Sequence, residues 1–92
     1  MNETQKRFFA HLASIQEERV QMCLAKNKIN DSSTEALLYE ATSAVITDIL
    51  TMIDGYSTYS KDSHDLVNTV TGQHLKENPF IELHDQIEGY LK

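Results

Sequence analysis

The side chains best suited to chemistry lie close together near the C-terminal end of the sequence. Glu82, His84, Asp85 and Glu88 follow one another in a predicted helix, where His84 and Glu88, four positions apart, share a face. Imidazole and carboxylate groups bind metals, but a site needs three or four of them in a fixed arrangement. No two histidines have H-x-x-x-H or H-x-H spacing. The pattern favours a helix in which Glu82 and Asp85 stabilise the first turn and His84 packs at the edge of the apolar face.

Asp48 is the most informative single acidic residue, because it lies inside an otherwise apolar arc of a predicted helix. A carboxylate that leaves water is costly unless it is paired. The structural interpretation is a buried polar pair with Arg19 or with a histidine across an interface, or a position at the rim of the apolar arc. We expect Arg19 as the partner, because it also lies inside the apolar arc of its helix. The alternative is a divalent-metal site that uses Glu40, Asp48, His84 and Asp85.

The spacing of Glu82 and Asp85 resembles half of the motif of the helical nucleotide pyrophosphohydrolases of the MazG kind. Those enzymes hold magnesium between two acidic pairs on facing helices, of the form ExxE and then ExxD. The first pair is missing here, because no two glutamates upstream are three positions apart. Magnesium needs several carboxylates in octahedral arrangement, so half of the motif does not place the chain in that family.

Other catalytic arrangements are missing from the sequence. Cys23, the single cysteine, falls on the apolar stripe of a helix interior, where a thiol is a small core residue rather than a nucleophile. No serine lies in a G-x-S-x-G elbow, and the three glycines are too far apart for a phosphate-binding loop. We therefore expect no cofactor. The loop after Gly55 instead carries Tyr56 and Tyr59 among small hydroxyl residues, a composition typical of protein-binding loops. The structural alternative is that Tyr56 packs back on the end of the helix and Tyr59 is an ordinary surface residue.

Composition and charge restrict the class of partner. The 92 residues carry 14 acidic and 8 basic side chains, for a net charge of −6. This balance argues against nucleic acid, which needs a cationic protein face. Residues 1–30 hold five basic and three acidic side chains, whereas residues 31–92 hold three basic and eleven acidic ones. The two parts can therefore attract each other, within one chain or between two.

The sequence also bears on the compartment. No apolar run approaches the roughly 20 residues of a membrane span, and the N-terminal segment lacks the core of a signal peptide. A single cysteine fits a reducing compartment. We therefore expect a cytoplasmic protein that does not bind membranes.

Hydrophobic periodicity predicts two long helices. The first covers residues 4–28. A capping box of Ser32 and Glu35 starts the second, which runs to Asp54 and ends at Gly55, a residue suited to the left-handed C-cap. The apolar positions of the second helix cover roughly two-thirds of its circumference, so it needs several neighbours. We expect it to be the central helix and to take part in a homodimer.

The remaining sequence predicts smaller elements. Residues 64–76 are rich in β-branched side chains around a Thr71-Gly72 turn, which favours a short β-hairpin, with an irregular loop as the alternative. Asn78 caps a last helix and Pro79 is its first residue. The expected fold is mainly α: one small domain of residues 1–92, with two long antiparallel helices, a C-terminal helix across them and the possible hairpin.

These features favour a non-enzymatic protein-interaction module, with an antitoxin-like or immunity-like blocker of bacterial type as its concrete form. We expect a homodimer whose acidic surface meets a cationic protein partner through Tyr56, Tyr59, Glu82, Asp85 and Glu88. One alternative is a small divalent-metal-dependent enzyme or ligand-binding protein. Another is a structural subunit that docks its second helix into a larger assembly.

Overall fold

The computed structural model describes all 92 residues and contains three helices. α1 spans Glu3–Lys26, α2 spans Ser32–Ile53 and α3 spans Leu83–Ile87. A short connection reverses the chain between α1 and α2, so the two long helices pack as an antiparallel hairpin. The mainly α fold that the sequence predicts is confirmed, with a much shorter third helix.

α1 begins at a capping box that the sequence analysis missed. The Asn2 side chain accepts a hydrogen bond from the Gln5 backbone N–H, and the Gln5 side chain accepts one from the Asn2 backbone N–H, both at 2.8 Å. The buried side of α1 is narrow and lies along one stripe of five residues: Gln5, Phe9, Gln16, Val20 and Leu24. The apolar side chains of Ile15 and Met22 lie outside this stripe and are exposed.

The prediction for α2 is wrong at its N-terminal end and confirmed at its C-terminal end. The predicted capping box of Ser32 and Glu35 is wrong, because Asp31 is the N-cap and its side chain accepts from the Ser33 N–H. A carboxylate one residue earlier binds the same free donors and also stabilises the positive end of the helix dipole. The C-terminal end is confirmed, since Gly55 has a left-handed φ of +89° directly after the C-cap Asp54.

α2 is not the covered, central helix that the sequence predicts. Leu50 is its only buried residue. Leu37, Val45 and Ile49 are 63%, 58% and 49% exposed. The core lies instead where the N-terminal half of α1 and the end of α2 meet the C-terminal third of the chain, and its buried members are Phe9, Leu50, Leu75, Ile81, Leu83 and Ile87. In the single chain, one apolar side of α2 faces water.

The exposure of α2 changes what its composition means. By length and composition this helix of 22 residues is able to cross a membrane. Only 6% of its most apolar window is buried within the chain. This finding corrects the expectation that no segment approaches that length. Glu40 and Asp48 place two carboxylates on the exposed side of this helix.

The C-terminal third is less regular than predicted. The hairpin at 64–76 is reduced to one antiparallel bridge between Val67 and His74. The helix predicted from Asn78 and Pro79 is wrong, since the chain makes turns there and α3 begins only at Leu83. Asn78 has a positive φ of 61°, which no helix contains.

Two buried glutamines of α1 explain this path. The Gln5 side-chain amide donates to the backbone carbonyls of Leu75, Glu77 and Pro79 at 2.8–3.2 Å. Gln16 accepts from the backbone N–H of Lys92 at 2.9 Å and donates to its carbonyl at 3.2 Å. Buried polar groups must find partners, so each glutamine fixes a stretch of irregular backbone against α1.

The glycines at 55 and 72 provide a matched test of this packing. A Cβ at Gly55 would lie 2.7 Å from the backbone carbonyl of Asp62, whereas a Cβ at Gly72, where φ is +74°, meets nothing within 4 Å. Gly72→Ala should cost only the left-handed backbone strain, about 1 kcal/mol. Gly55→Ala should cost roughly 1–3 kcal/mol more, because the backbone of Asp62 must shift. Urea denaturation measures both, and equal losses would contradict this packing.

Candidate functional site

The C-terminal end of α2 carries a buried carboxylate. The side chain of Asp54 is 0% exposed, and its Oδ1 lies 2.7 Å from the Nζ of Lys76. Its Oδ2 accepts a hydrogen bond from the backbone N–H of His84 at 2.8 Å and lies 2.6 Å from the His84 Nδ1. A buried charge is tolerated when it is paired and hydrogen-bonded, and each oxygen of Asp54 has a close partner.

Lys76 is as deeply buried as its partner, with a side chain that is 3% exposed. Its ammonium group also donates to the Ser63 Oγ at 2.7 Å and to the backbone carbonyl of His64 at 3.0 Å. The ammonium group therefore makes two hydrogen bonds and a close ion pair with Asp54 Oδ1, which has no other partner. The pair joins the end of α2 to two loops that are distant in sequence.

Local structure explains how the pair is positioned. Gly55 lets the backbone of Asp62 and Ser63 approach the end of α2, which brings the acceptors of Lys76 into place. Asp54 accepts from the N–H of His84 and so caps α3, which has no cap of its own. The short helix begins where it does because a distant carboxylate binds its first free donors.

The buried pair supports a group of surface residues that we call the acidic site: Tyr56, Glu82, His84 and Asp85. The Tyr56 hydroxyl donates to the Glu82 carboxylate at 2.6 Å, and its ring packs edge-on against the His84 ring with 5.1 Å between centroids. The Nε2 of His84 lies 3.2 Å from Asp85 Oδ1 and 3.8 Å from Glu82 Oε2. One imidazole thus connects the buried carboxylate to two carboxylates at the surface.

The site shifts two pKa values. Burial alone raises the pKa of Asp54, but the hydrogen bonds from Lys76 and His84 outweigh it and lower the pKa below the usual 3.8. The hydrogen bond to Glu82 raises the pKa of Tyr56 above 10.0, because the nearby carboxylate disfavours a phenolate. Asp54 is therefore a carboxylate and Tyr56 a neutral donor at neutral pH.

The structure brings some of the predicted binding residues together. Tyr56, Glu82 and Asp85 all belong to the acidic site. Glu88 is exposed at the C-terminal end of α3, three positions after Asp85. Tyr59 lies further along the loop, exposed, with its ring centroid 6.1 Å from that of His64.

The predicted polar pair of Arg19 and Asp48 does not form within the chain. Both residues are exposed, and neither takes part in an ion pair. The apolar arc that contains Asp48 is the side of α2 that faces water, so the prediction of a buried carboxylate within one chain is wrong. The buried ion pair of this protein is Asp54 with Lys76, which the sequence did not single out.

The predicted metal set is also not assembled. Glu40 and Asp48 lie on the exposed side of α2, whereas His84 and Asp85 lie at the acidic site, and no group of three ligating side chains contains residues from both places. One close triplet consists of Asp54, Glu82 and His84. The buried ammonium group of Lys76 already neutralises Asp54 there and would repel a divalent cation.

A second close triplet lies beside the β-bridge and consists of Asp65, His74 and Glu77. Asp65 uses one carboxylate oxygen to accept from the backbone N–H groups of Leu66 and Lys76. Its other oxygen lies 3.1 Å from the Nδ1 of His74. These contacts give Asp65 and His74 a structural role in closing the turn between them.

The acidic site meets solvent directly. None of the five surface grooves is lined by Asp54, Tyr56, Glu82, His84 or Asp85. An enclosed pocket is the usual setting for a small substrate. The geometry therefore suits contact with a surface more than binding of a small molecule.

No protein-family model matches the chain, and comparison with curated proteins and with solved structures gives no significant match.

Removal of one partner tests the buried ion pair. Lys76→Met leaves the Asp54 charge buried without its counter-ion, which should cost about 3–5 kcal/mol of the free energy of unfolding. Adding Asp54→Asn removes that charge and should recover part of the loss. Lys61→Met, at an exposed lysine, is the control and should stay within about 0.5 kcal/mol of the unchanged protein in urea denaturation. Equal effects of the two lysine variants would contradict burial of the pair.

The lowered pKa of Asp54 predicts the sign of a pH dependence. A carboxylate with a lower pKa in the folded state stabilises the protein fully above its unfolded pKa of 3.8, and this contribution is lost as pH falls through the folded value. The stability difference between the unchanged protein and Asp54→Asn should therefore shrink between about pH 6 and about pH 2. A constant difference in urea denaturation across this interval would show that Asp54 is not charged in the folded state.

Proposed function

We propose that this protein is a non-enzymatic interaction module that binds a basic protein surface through the acidic site and that associates with itself. The observation that carries the proposal is the acidic site itself, in which Asp54 of the buried ion pair holds the ring and backbone N–H of His84, and Tyr56 holds Glu82. Side chains that are held before binding lose little conformational entropy in the complex. Carboxylates beside an aromatic ring suit lysine and arginine side chains.

The lysines of residues 31–92 offset few of the acidic side chains in that part of the chain. Residues 31–92 contain only Lys61, Lys76 and Lys92 as basic side chains. Lys76 is buried against Asp54, and Lys92 lies 2.6 Å from Glu17. Lys61 is therefore the only basic side chain of this part without a carboxylate partner, and uncompensated negative charge attracts cationic partners over long range.

The proposed action is occupancy of a basic surface rather than a reaction. Complementary charge speeds encounter and favours the correct partner, and Tyr56 adds apolar area at a low entropic cost. A cytoplasmic blocker that covers a basic functional surface of another protein, in the manner of an antitoxin or an immunity protein, is the concrete form of this proposal.

Charge reversal at two exposed positions tests the proposal. Asp85→Lys, within the acidic site, combined with Glu88→Lys, at the exposed carboxylate three positions later, should weaken capture of basic proteins from an extract of the native cell, because attraction becomes repulsion. The matched control is Glu18→Lys with Asp62→Lys, which changes the net charge equally at exposed positions outside the acidic site. Mass spectrometry compares the proteins captured by the three baits at low and at high salt.

The expected result is one or more basic proteins that the unchanged bait and the control retain, that the site variant loses, and that high salt releases. Capture that follows net charge alone, with equal losses for both variants, would contradict a specific role of the acidic site. Circular dichroism of each variant establishes that the helices are retained.

A further inference from the structure

A second surface lies along the open side of the helical hairpin. We call it the open face, and its exposed apolar members are Ile15, Met22, Leu37, Ala41, Val45 and Ile49. Between the helices it contains a groove of about 300 Å³, lined by residues that include Ile15, Arg19 and Val45. The four members from α2 are spaced by four residues, so they form one continuous ridge along the helix.

The chain gives a physical reason to cover this face. Only 13 of the 92 residues are buried, which is little core for a folded domain without a disulfide. Near the N-terminal end of α1 this side is already covered, because Phe8 packs against the core cluster that contains Leu75. The open face begins where that cover ends and continues along the rest of α2.

Two opposite charges lie within the apolar area of the open face, whereas Glu40 lies at the edge of the exposed side of α2. Arg19 borders the groove on α1, and Asp48 lies between the apolar positions of the exposed side of α2. Neither charge has a partner within the chain, as their absence from every ion pair shows. A face with its own complementary charges is suited to a second copy of itself, because a two-fold interface places each patch against the same patch.

The levels of these residues along the hairpin fit such an arrangement. Gln16 bonds to Tyr39 and Thr42, so Arg19, one turn further along α1, lies near the level of residue 38 of α2. Asp48 is ten positions further, about 15 Å at 1.5 Å per residue, which separates the two charges within one chain. Residue 43 of α2 is midway between these two levels. A two-fold axis that crosses α2 at residue 43 places a second copy antiparallel to the first, so that Arg19 of one copy lies level with Asp48 of the other.

The same axis also matches the apolar ridge to itself. Residue 43 is midway between Leu37 and Ile49, and equally midway between Ala41 and Val45. Leu37 of one copy therefore lies level with Ile49 of the other, and Ala41 with Val45. The charges and the apolar ridge give the same centre of symmetry independently.

We propose that the open face is the homodimer interface of this protein, closed by a second copy in which Arg19 of each chain pairs with Asp48 of the other. The inference rests on the self-association that belongs to the proposed function, and it names the surface responsible. It also accounts for a carboxylate in the apolar arc of α2, which a lipid bilayer would disfavour.

Sedimentation velocity of the full chain over a range of concentrations tests the surface. The unchanged protein should form a dimer, and Val45→Glu should be monomeric, because it adds a charge near the centre of the apolar ridge. The matched control is Val70→Glu, at a residue that is 92% exposed and outside the open face; this variant should remain a dimer. A monomer at every concentration, or a dimer that survives Val45→Glu, overturns the inference.

A charge exchange tests the paired residues. Arg19→Glu and Asp48→Arg should each weaken the dimer by at least about tenfold in Kd, and the double variant should recover most of the loss. Failure of the double variant to recover overturns the pairing. The chain is also mixed with vesicles of neutral phosphatidylcholine, and a monomer that partitions into them overturns the inference in favour of a membrane surface.

These outcomes separate the inference from the proposed binding of a basic partner. Val45→Glu leaves the acidic site unchanged, and Asp85→Lys with Glu88→Lys leaves the open face unchanged. A dimer that survives Val45→Glu removes only the assignment of the interface. If the unchanged protein captures no basic partner, the proposed binding of a basic surface is contradicted, and the dimer can still be measured.

Discussion

The buried pair of Asp54 and Lys76 is the interaction on which the C-terminal third of the molecule depends. That third has one helix of five residues and a single β-bridge, and neither element is stable alone in water. The Asp54 carboxylate holds the ammonium group of Lys76 and the backbone N–H of His84, so it joins the end of α2 to a loop and to α3. Irregular backbone persists here because its polar groups have fixed partners inside the molecule.

The same pair determines the character of the surface above it. Lys76 is buried against Asp54 and is therefore absent from the surface. The carboxylates of Glu82 and Asp85 thus have no lysine beside them, only His84. The open face arises from a different cause, since the C-terminal third packs against α2 only at its end and leaves the rest of this apolar helix uncovered. The molecule therefore presents a charged surface built on a buried ion pair and an apolar surface on its helical hairpin.

The sequence predicted the elements whose causes are local and missed those whose causes are not. Both long helices and the stop at Gly55 follow from periodicity and backbone preference, and they are confirmed. The same local reasoning failed at Pro79, because Gln5 binds that segment from a position that is 74 residues away. The apolar arc around Asp48 was correctly located, but periodicity does not show which side of a helix its own chain covers. The grouping of Tyr56 and Glu82 at one site needed the folded chain, although both were predicted to bind.

Hydrogen exchange at the backbone amide of His84, followed by NMR in the full chain, tests the central claim most directly. This amide donates to a fully buried carboxylate across 30 positions of sequence. We expect this amide to exchange only by an opening that also breaks the Asp54–Lys76 pair, with protection close to that of the α2 amides around Leu50, the one buried residue of that helix. Exchange as fast as that of an exposed loop would show that the carboxylate does not hold α3, and would contradict the account.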